Sequence, residues 1–468
     1  MPLHRLAARS VILASTTAFT VIGVLGWPMM CGAQMVSPTP QPQGVPITPE
    51  QAEEVQPESW AIHGQGTNVW LLQPAFRSPY QGPHSLSPDA NGRETVGVTL
   101  YAGFRPWPGA EIWINPEVDQ GFGLSNTFGV AGYPSGEAFK LGKAEPYFLV
   151  QRGFLRQTIN LSGETEKLEP GLNQLGGTQT ANRVVFTVGK FSVVDIFDTN
   201  IYAHDPRNDF LNWSIMDQGA FDYAANAWGY TYGGAAEWYQ DWWTIRAGIF
   251  DLSQFPNSTA LYSGLGQGQF VAELEERHNL WDQPGKLKFL YWLTRGYLGT
   301  YLDAISFGAA TGQTPSPRAG AHYQTKGGFG LNLEQQIATD FGFFARASIS
   351  QGTVEEVDFT DINKSISAGI SLTGSRWGRP DDTVGLAGAI NRISHEGKLY
   401  LAAGGLGGII GDGQLPNAGP EQILELYYNI SVFSFAYFTA DYQFINHPAY
   451  NRDRGPVSIF GLRLHLQY

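Results

Sequence analysis

Several stretches of this chain carry a charged or aromatic residue at every second position, opposite a row of apolar ones. Read with a period of two, Arg246, Arg346, Arg463 and Lys288 share the polar face with Glu237, Glu334, Glu425 and Asp441, and Trp292 and Tyr427 fall on the same side. The chemistry open to such groups is the exchange of hydrogen bonds and the pairing of ions. It is not bond making, because the arrangements that catalysis needs are missing: there is no G-x-S-x-G, no H-E-x-x-H and no P-loop, and the nine His are scattered without ligand spacing. Gly404–Gly413 (GGLGGIIGDG) lacks the strand-to-helix setting that would cradle a phosphate. The reading is a protein that is not an enzyme, with no cofactor and no metal.

What holds these residues in phase is a set of strands. In the closing stretch VSIFGLRLHLQY, Phe460, Leu462, Leu464, Leu466 and Tyr468 alternate with Gly461, Arg463, His465 and Gln467. Leu424, Leu426, Tyr428 and Ile430 oppose Glu425, Tyr427 and Asn429 in the same way. Sixteen such stretches are predicted: 66–73, 95–104, 109–117, 148–161, 182–191, 230–239, 242–251, 268–278, 285–297, 325–337, 340–350, 363–374, 382–393, 421–432, 435–445 and 457–468. Short links such as 105–108, 240–241, 338–339 and 433–434 alternate with long ones such as 74–94, 118–147, 192–229, 298–324 and 394–420. One link, 162–181, is long where a short one is due.

Turns at one end and loops at the other, on strands with one apolar face, predict an all-β fold: a transmembrane antiparallel β-barrel of about 16 strands, with short periplasmic turns and long extracellular loops. Composition agrees. Only 15% of residues are charged, against roughly 25% in soluble domains, while 13% are aromatic and 57 are Gly. No apolar run past the N-terminus has the length a spanning helix needs. A two-sheet soluble sandwich would alternate too, but it would not explain the loop asymmetry.

At the N-terminus, Arg5 and Arg9 precede an apolar run from Val11 to Trp27, and Cys31-Gly32-Ala33 offers small residues for cleavage. Residues 1–33 therefore read as a signal peptide, with a lipoprotein anchor at Cys31 as the weaker alternative. Losing Arg5 and Arg9 with that leader takes the formal charge from −13 to −15, which disfavours nucleic acid as a partner. Losing Cys31 leaves no disulfide, and a closed hydrogen-bonded barrel is one other source of stability. Residues 34–59, rich in Pro and Gln, read as a periplasmic linker with little structure, and 60–468 as the barrel domain.

From about Glu111 to Tyr468 the chain also resembles the carbohydrate-selective porins (OprB type) of Gram-negative outer membranes. The resemblance is carried by QGFGLSNTFGVAGY (Gln120–Tyr133), GKFSVVDIFDTNIYAHDPRNDFLNW (Gly189–Trp213), QPGKLKFLYWLTRG (Gln283–Gly296), GLNLEQQI (Gly330–Ile337), RWGRPDDTVGLAGAINRIS (Arg376–Ser394) and ELYYNI (Glu425–Ile430). It implies a sixteen-stranded barrel in the outer membrane that admits sugars through a polar constriction, and no catalytic residue. The terminal Tyr468 resembles the signal by which the barrel-assembly machinery recognises its clients. Expected partners are thus sugar solutes, outer-membrane lipid and that machinery; the oligomeric state stays open.

With the polar faces turned inward, the ten residues above become candidates for the wall of the solute path. Each also fits as a solvated wall residue or an ion-pair partner, and Glu237 and Arg246 flank the Gln240-Asp241 turn closely enough to pair with one another. Aromatics on that face, Trp113, Trp292, Phe344 and Tyr427, could stack on sugar rings or pack on an inward loop. The loop 192–229 is the expected constriction, being too rich in Phe, Trp and Tyr for a solvated loop, with Asp195, Asp198, Asp205, Arg207, Asp209 and Trp213 as eyelet candidates. Its Asp residues fit equally as turn formers and caps. Two other functions share the pattern: a channel for organic acids or an exported polysaccharide, and a carbohydrate-binding β-protein without a pore.

Overall fold

A computed structural model describes residues 44–138, 142–262, 264, 266–358 and 360–468. The expected leader at 1–33, and 34–43 of the expected linker, lie outside the described residues. After a three-residue strand β1 (Val45–Ile47) and the short helix α1 (Pro49–Glu54), sixteen strands follow. They are β2 (Trp60–Gln73), β3 (Asn91–Phe104), β4 (Ala110–Gly121), β5 (Lys143–Leu168), β6 (Gly177–Phe191), β7 (Thr231–Gln240), β8 (Trp243–Phe250), β9 (Gly268–Leu280), β10 (Gln283–Leu298), β11 (His322–Ala338), β12 (Phe341–Ser350), β13 (Lys364–Gly374), β14 (Arg379–Arg392), β15 (Glu421–Phe433), β16 (Ala436–Asn446) and β17 (Val457–Gln467).

Each of β2 to β17 pairs antiparallel with its neighbour in sequence, and β17 returns to pair with β2. The register Phe460↔Leu72 to Gln467↔Gln65 closes the sheet, and Tyr468 and Gly64 exchange two backbone hydrogen bonds at 2.8 and 2.9 Å. The result is a closed 16-stranded antiparallel barrel with no free edge, which is the condition for strands to cross a membrane. Among the described residues, no helix is long and apolar enough to do so.

The pleat sorts the side chains as the period predicts. On β17, Phe460, Leu462 and Leu466 are exposed on the outer face while Arg463 and His465 are buried inside. Ile62, Trp70 and Leu72 on β2, Ile114 and Val118 on β4, and Phe186 and Val188 on β6 continue the apolar exterior. Trp238, Trp242, Trp281, Phe433, Phe435 and Tyr468 are exposed close to the short turns, where aromatic rings form the interfacial girdle of such barrels. Large buried side chains sit in the lumen instead: Trp213, Phe197, Phe210 and Phe221 come from one loop and pack against the inner wall. That loop carries the short helix α2 (Trp213–Met216), N-capped by Asn212.

Two segments differ from the expectation. Residues 44–59 are not structureless: β1 pairs with the far end of β5, Val45↔Lys167 to Ile47↔Thr165, and a capping box at Thr48 starts α1. The long link 162–181 is the continuation of β5 and β6 past the barrel rim, through register shifts between Asn160 and Thr165. The tip of this hairpin folds back into the short-turn mouth. Leu172 and Leu175 are buried, Arg156 donates to the Asn173 carbonyl at 2.8 Å, and Glu58 and Gly176 exchange two hydrogen bonds at 2.7 and 3.0 Å.

Candidate solute path and constriction

The inward charges of β7 to β11 meet one another. Arg246 lies 3.0 Å from Glu237 across the turn, 2.8 Å from Glu273 and 3.0 Å from Glu275. Lys288 sits 3.8 Å from both Glu275 and Glu334, and Glu334 also takes Lys286 at 3.1 Å. Alternation forces these groups inside, because a basic residue on the lipid face near the midplane costs about 2–4 kcal/mol. Once inside a narrow barrel they need partners, and neighbouring strands supply opposite charges.

The remaining wall groups hold the loop 192–230 across the lumen. Asp198 is its hub: its carboxylate receives Arg346 Nε at 3.2 Å, Asn332 Nδ2 at 2.7 Å and the backbone N–H of Gln218 at 2.6 Å. Arg346 also donates to the carbonyls of Ile215 and Ala203. Lys288 donates to Thr199 Oγ1 at 2.8 Å, and Glu334 accepts the N–H of Ile201 at 3.0 Å. On the opposite side Glu425 receives the N–H groups of Leu211 and Asn212 at 2.5 and 3.1 Å. Arg463 donates to the carbonyls of Pro206, Asn208 and Asp209 at 2.6–2.8 Å. Asp441 accepts from Gln443, which itself donates to the Pro134 carbonyl of a second inward loop. A loop buried in a barrel must satisfy its backbone, and these side chains do so.

Aromatic packing follows the same division. Trp292 lies 4.9 Å from Phe221, and Phe210 lies 4.9 Å from Tyr427 and 5.6 Å from Phe344, centroid to centroid. Trp292 and Tyr427, candidates for direct contact with a passing solute, are fully buried under the loop and present no open ring face. The cause is that Phe210 and Phe221 already cover those faces.

Open space remains on the other side of the loop, a cavity of ≈ 130 Å³ bounded by β4, β5, residues 133–138 and the loop itself. Arg152 and Arg207 face Glu117, Glu137, Asp195, Asp205 and Asp217 there. Arg152 grips Asp195 through two hydrogen bonds at 2.6 and 2.7 Å, and Arg207 lies 3.3 Å from Glu137. Of the six loop residues singled out from sequence, Asp195, Asp205, Arg207 and Trp213 line this cavity, with Trp213 stacked on Tyr133 at 5.2 Å. Asp198 and Asp209 do not; the first anchors the loop, and the second accepts the backbone N–H groups of His204 and Asp205 at 3.3 Å. Burial is the main cause that pushes the Asp209 carboxyl up to about 6. It also raises Glu137 to about 7, against the pull of Arg207. Glu117, Glu137, His204, Asp217 and Tyr230 were missed. Glu137 and Glu117 flank the Gln120–Tyr133 stretch, and the Gly-rich loop between them was the signal that a second segment turns inward.

A closed antiparallel barrel, apolar outside and charged inside, with a loop folded through its lumen, defines a channel of the outer-membrane type. The model of the carbohydrate-selective porin OprB family matches residues 83–468, and the chain belongs to that family. Its fold and family are those of channels, which are non-enzymatic in kind, and they indicate the outer membrane of a Gram-negative bacterium. The high-pH structure of OprB from Pseudomonas putida superposes with a TM-score of 0.66 at 15% identity, covering 88% of this chain and 94% of that one. At that identity the likeness shows the fold. The low-pH structure of the same protein gives a TM-score of 0.47 at 11% identity over 88% and 93% of the two chains. The DcaP channel of Acinetobacter baumannii gives 0.48 at 8% identity over 87% and 97%. No curated protein matches the chain in sequence.

Proposed function

We propose that this protein is an outer-membrane porin through which mono- and small oligosaccharides diffuse passively into the periplasm. In this reading residues 1–33 are a leader removed on export, 34–59 a periplasmic segment, and the strand ending on Tyr468 the signal for barrel assembly. Loop 192–230 sets the size limit. The wall residues Arg246, Arg346, Arg463, Lys288, Glu237, Glu334, Glu425, Asp441, Trp292 and Tyr427 act by holding that loop and the wall in shape, while Arg152, Asp195, Asp205, Arg207 and Trp213 border the passage itself.

The observation that carries the reading is the mixed charge around the ≈ 130 Å³ cavity. Carboxylates and guanidinium groups both exchange hydrogen bonds with hydroxyls, and sites that are weak and several let a solute leave as readily as it enters. Five acidic groups against two basic ones disfavour organic acids as the main cargo. Swelling of liposomes that contain the protein tests this with glucose, gluconate and an amino acid of similar size. Faster swelling in glucose is expected; equal or faster entry of gluconate would replace the sugar reading with that of an anion channel.

A further inference from the structure

Inside the barrel, Arg246, Arg346 and Lys288 meet carboxylates, and Arg463 meets carbonyls. At the short-turn end, Arg376 and Arg379 pair with Asp340 and Asp382. Lys364 and Arg392 are placed differently. Lys364 opens β13, Arg392 closes β14, and the ladder between these strands sets the two directly opposite one another. Both stand exposed on the outer face, while the adjoining pair, Ser365 and Asn391, is buried in the lumen with its side chains hydrogen-bonded at 2.8 Å. Among the described residues, no side-chain hydrogen bond or ion pair engages either cation.

Like charges directly opposite on neighbouring strands repel and weaken the pairing. One anion held between them turns that repulsion into two attractions. The height of the pair says where such an anion would come from. β13 has 11 residues, and at a rise of about 3.3 Å and a tilt of about 40° its ends lie about 25 Å apart along the barrel axis. That distance is the height of the apolar band of such barrels. Gly374 ends β13 at a short turn, so Lys364 lies at the opposite, outer boundary of the membrane. Ile349 on β12 pairs with Lys364, and the next outward pair towards mid-membrane is Ile366 and Ile390; all three isoleucines are exposed. Ala368 opposite Gly388 follows, where little side chain covers the wall. The surface is thus cationic at headgroup level and apolar and shallow beneath.

We propose that Lys364 and Arg392 clamp one phosphate of a phosphorylated glycolipid in the outer leaflet, with an acyl chain of that lipid lying over Ile366, Ile390 and Ala368. The site depends on the barrel's place in the outer membrane and is independent of which solute passes. Arg392 offers a planar fork to two phosphate oxygens, and Lys364 adds a compact charge. Their aliphatic stems can lie along the apolar wall while the charged heads stay at the boundary. Free phosphate would meet the same two charges without the apolar contact, so the lipid is the favoured occupant.

The test is binding of bis-phosphorylated lipid A to the folded barrel in detergent, followed by native mass spectrometry. EDTA is present, to remove divalent cations that would otherwise bridge the lipid to acidic groups. The wild type is compared with Lys364→Gln, Arg392→Gln, the double variant, and Arg376→Gln as a control at the other end of the barrel. The dissociation constant should rise about tenfold or more in the double variant and by less in each single one, and stay unchanged in Arg376→Gln. Lipid A stripped of its phosphates should bind the wild type and the double variant alike. Neutralising a like-charge pair should leave the lipid-free urea midpoint the same or higher, and the single variants carry the same comparison if the double one fails to fold. Equal affinity of all the folded variants for lipid A, no binding to the wild type, or displacement of the lipid by an equimolar amount of inorganic phosphate overturns the clamp.

Discussion

Arg463 and Leu462 are neighbours on β17 with opposite surroundings, and the difference is the whole logic of the strand. Arg463 is fully buried and bonded to three loop carbonyls, whereas Leu462 is exposed on the outer face. Leu462→Arg is expected to lower barrel stability by about 2–4 kcal/mol and to reduce the heat-modifiable, folded fraction on gels. Arg463→Leu should still assemble, since every strand pair is kept, but loosen the loop and raise single-channel conductance; equal behaviour of the two variants would mean the phase is wrong. Phase was legible in the sequence because period two fixes which residues share a face. Partnership was legible only for Glu237 and Arg246, which a two-residue turn places opposite one another; Glu273 and Glu275 approach Arg246 from the next strand, and no local pattern announces that. Arg246→Met should destabilise the barrel by about 3–5 kcal/mol, leaving buried carboxylates without their cation, as a lower urea midpoint for unfolding from detergent would report. In the cavity beside the loop, Glu137 has its carboxyl raised to about 7 by burial. It is ionised above that value and neutral below it, so the preference for K⁺ over Cl⁻ in reversal-potential measurements should fall as pH is lowered from 8 to 5, and Glu137→Gln should remove the part of that change centred near pH 7.

Between residue and barrel stand the two loops and one hairpin that close the lumen down. The inward turn of 192–230 could be anticipated from its aromatic content, since Phe197, Phe210, Phe221 and Trp213 have nowhere else to be buried. Which charged candidates would reach the opening could not, because Asp198 and Asp195 look alike in sequence, and only the position of Arg346 and Arg152 on distant strands assigns them to anchor and rim. The extension of β5 and β6 was legible only as a link of the wrong length. Its register shifts carry no period, and Leu172 and Leu175 read as ordinary turn residues until the barrel mouth is there to receive them. If the tip narrows the exit, replacing Pro170–Gly176 by a two-residue turn should raise KCl conductance without loss of the folded, heat-modifiable band. Unchanged conductance would reduce the hairpin to a support for β1.

At the scale of the molecule, the barrel is a soluble fold turned inside out: its apolar side chains face outward, and its interior is built from paired charges, buried loop aromatics and a charged cavity beside the loop. Ladder closure by β17 and β2 makes the wall independent of what fills it, so the filling can be changed while the wall stands. That independence permits a direct test of the central claim, that the loop across the lumen sets which sugars pass. The measurement is the largest oligosaccharide of a graded series that enters liposomes through the wild type and through a variant with Tyr202–Tyr223 replaced by a short Gly/Ser link, both verified as folded. The account predicts that the shortened channel admits longer oligosaccharides and swells liposomes faster with every sugar the wild type admits. A folded variant with the same size limit and the same rates would contradict it and move the constriction away from this loop.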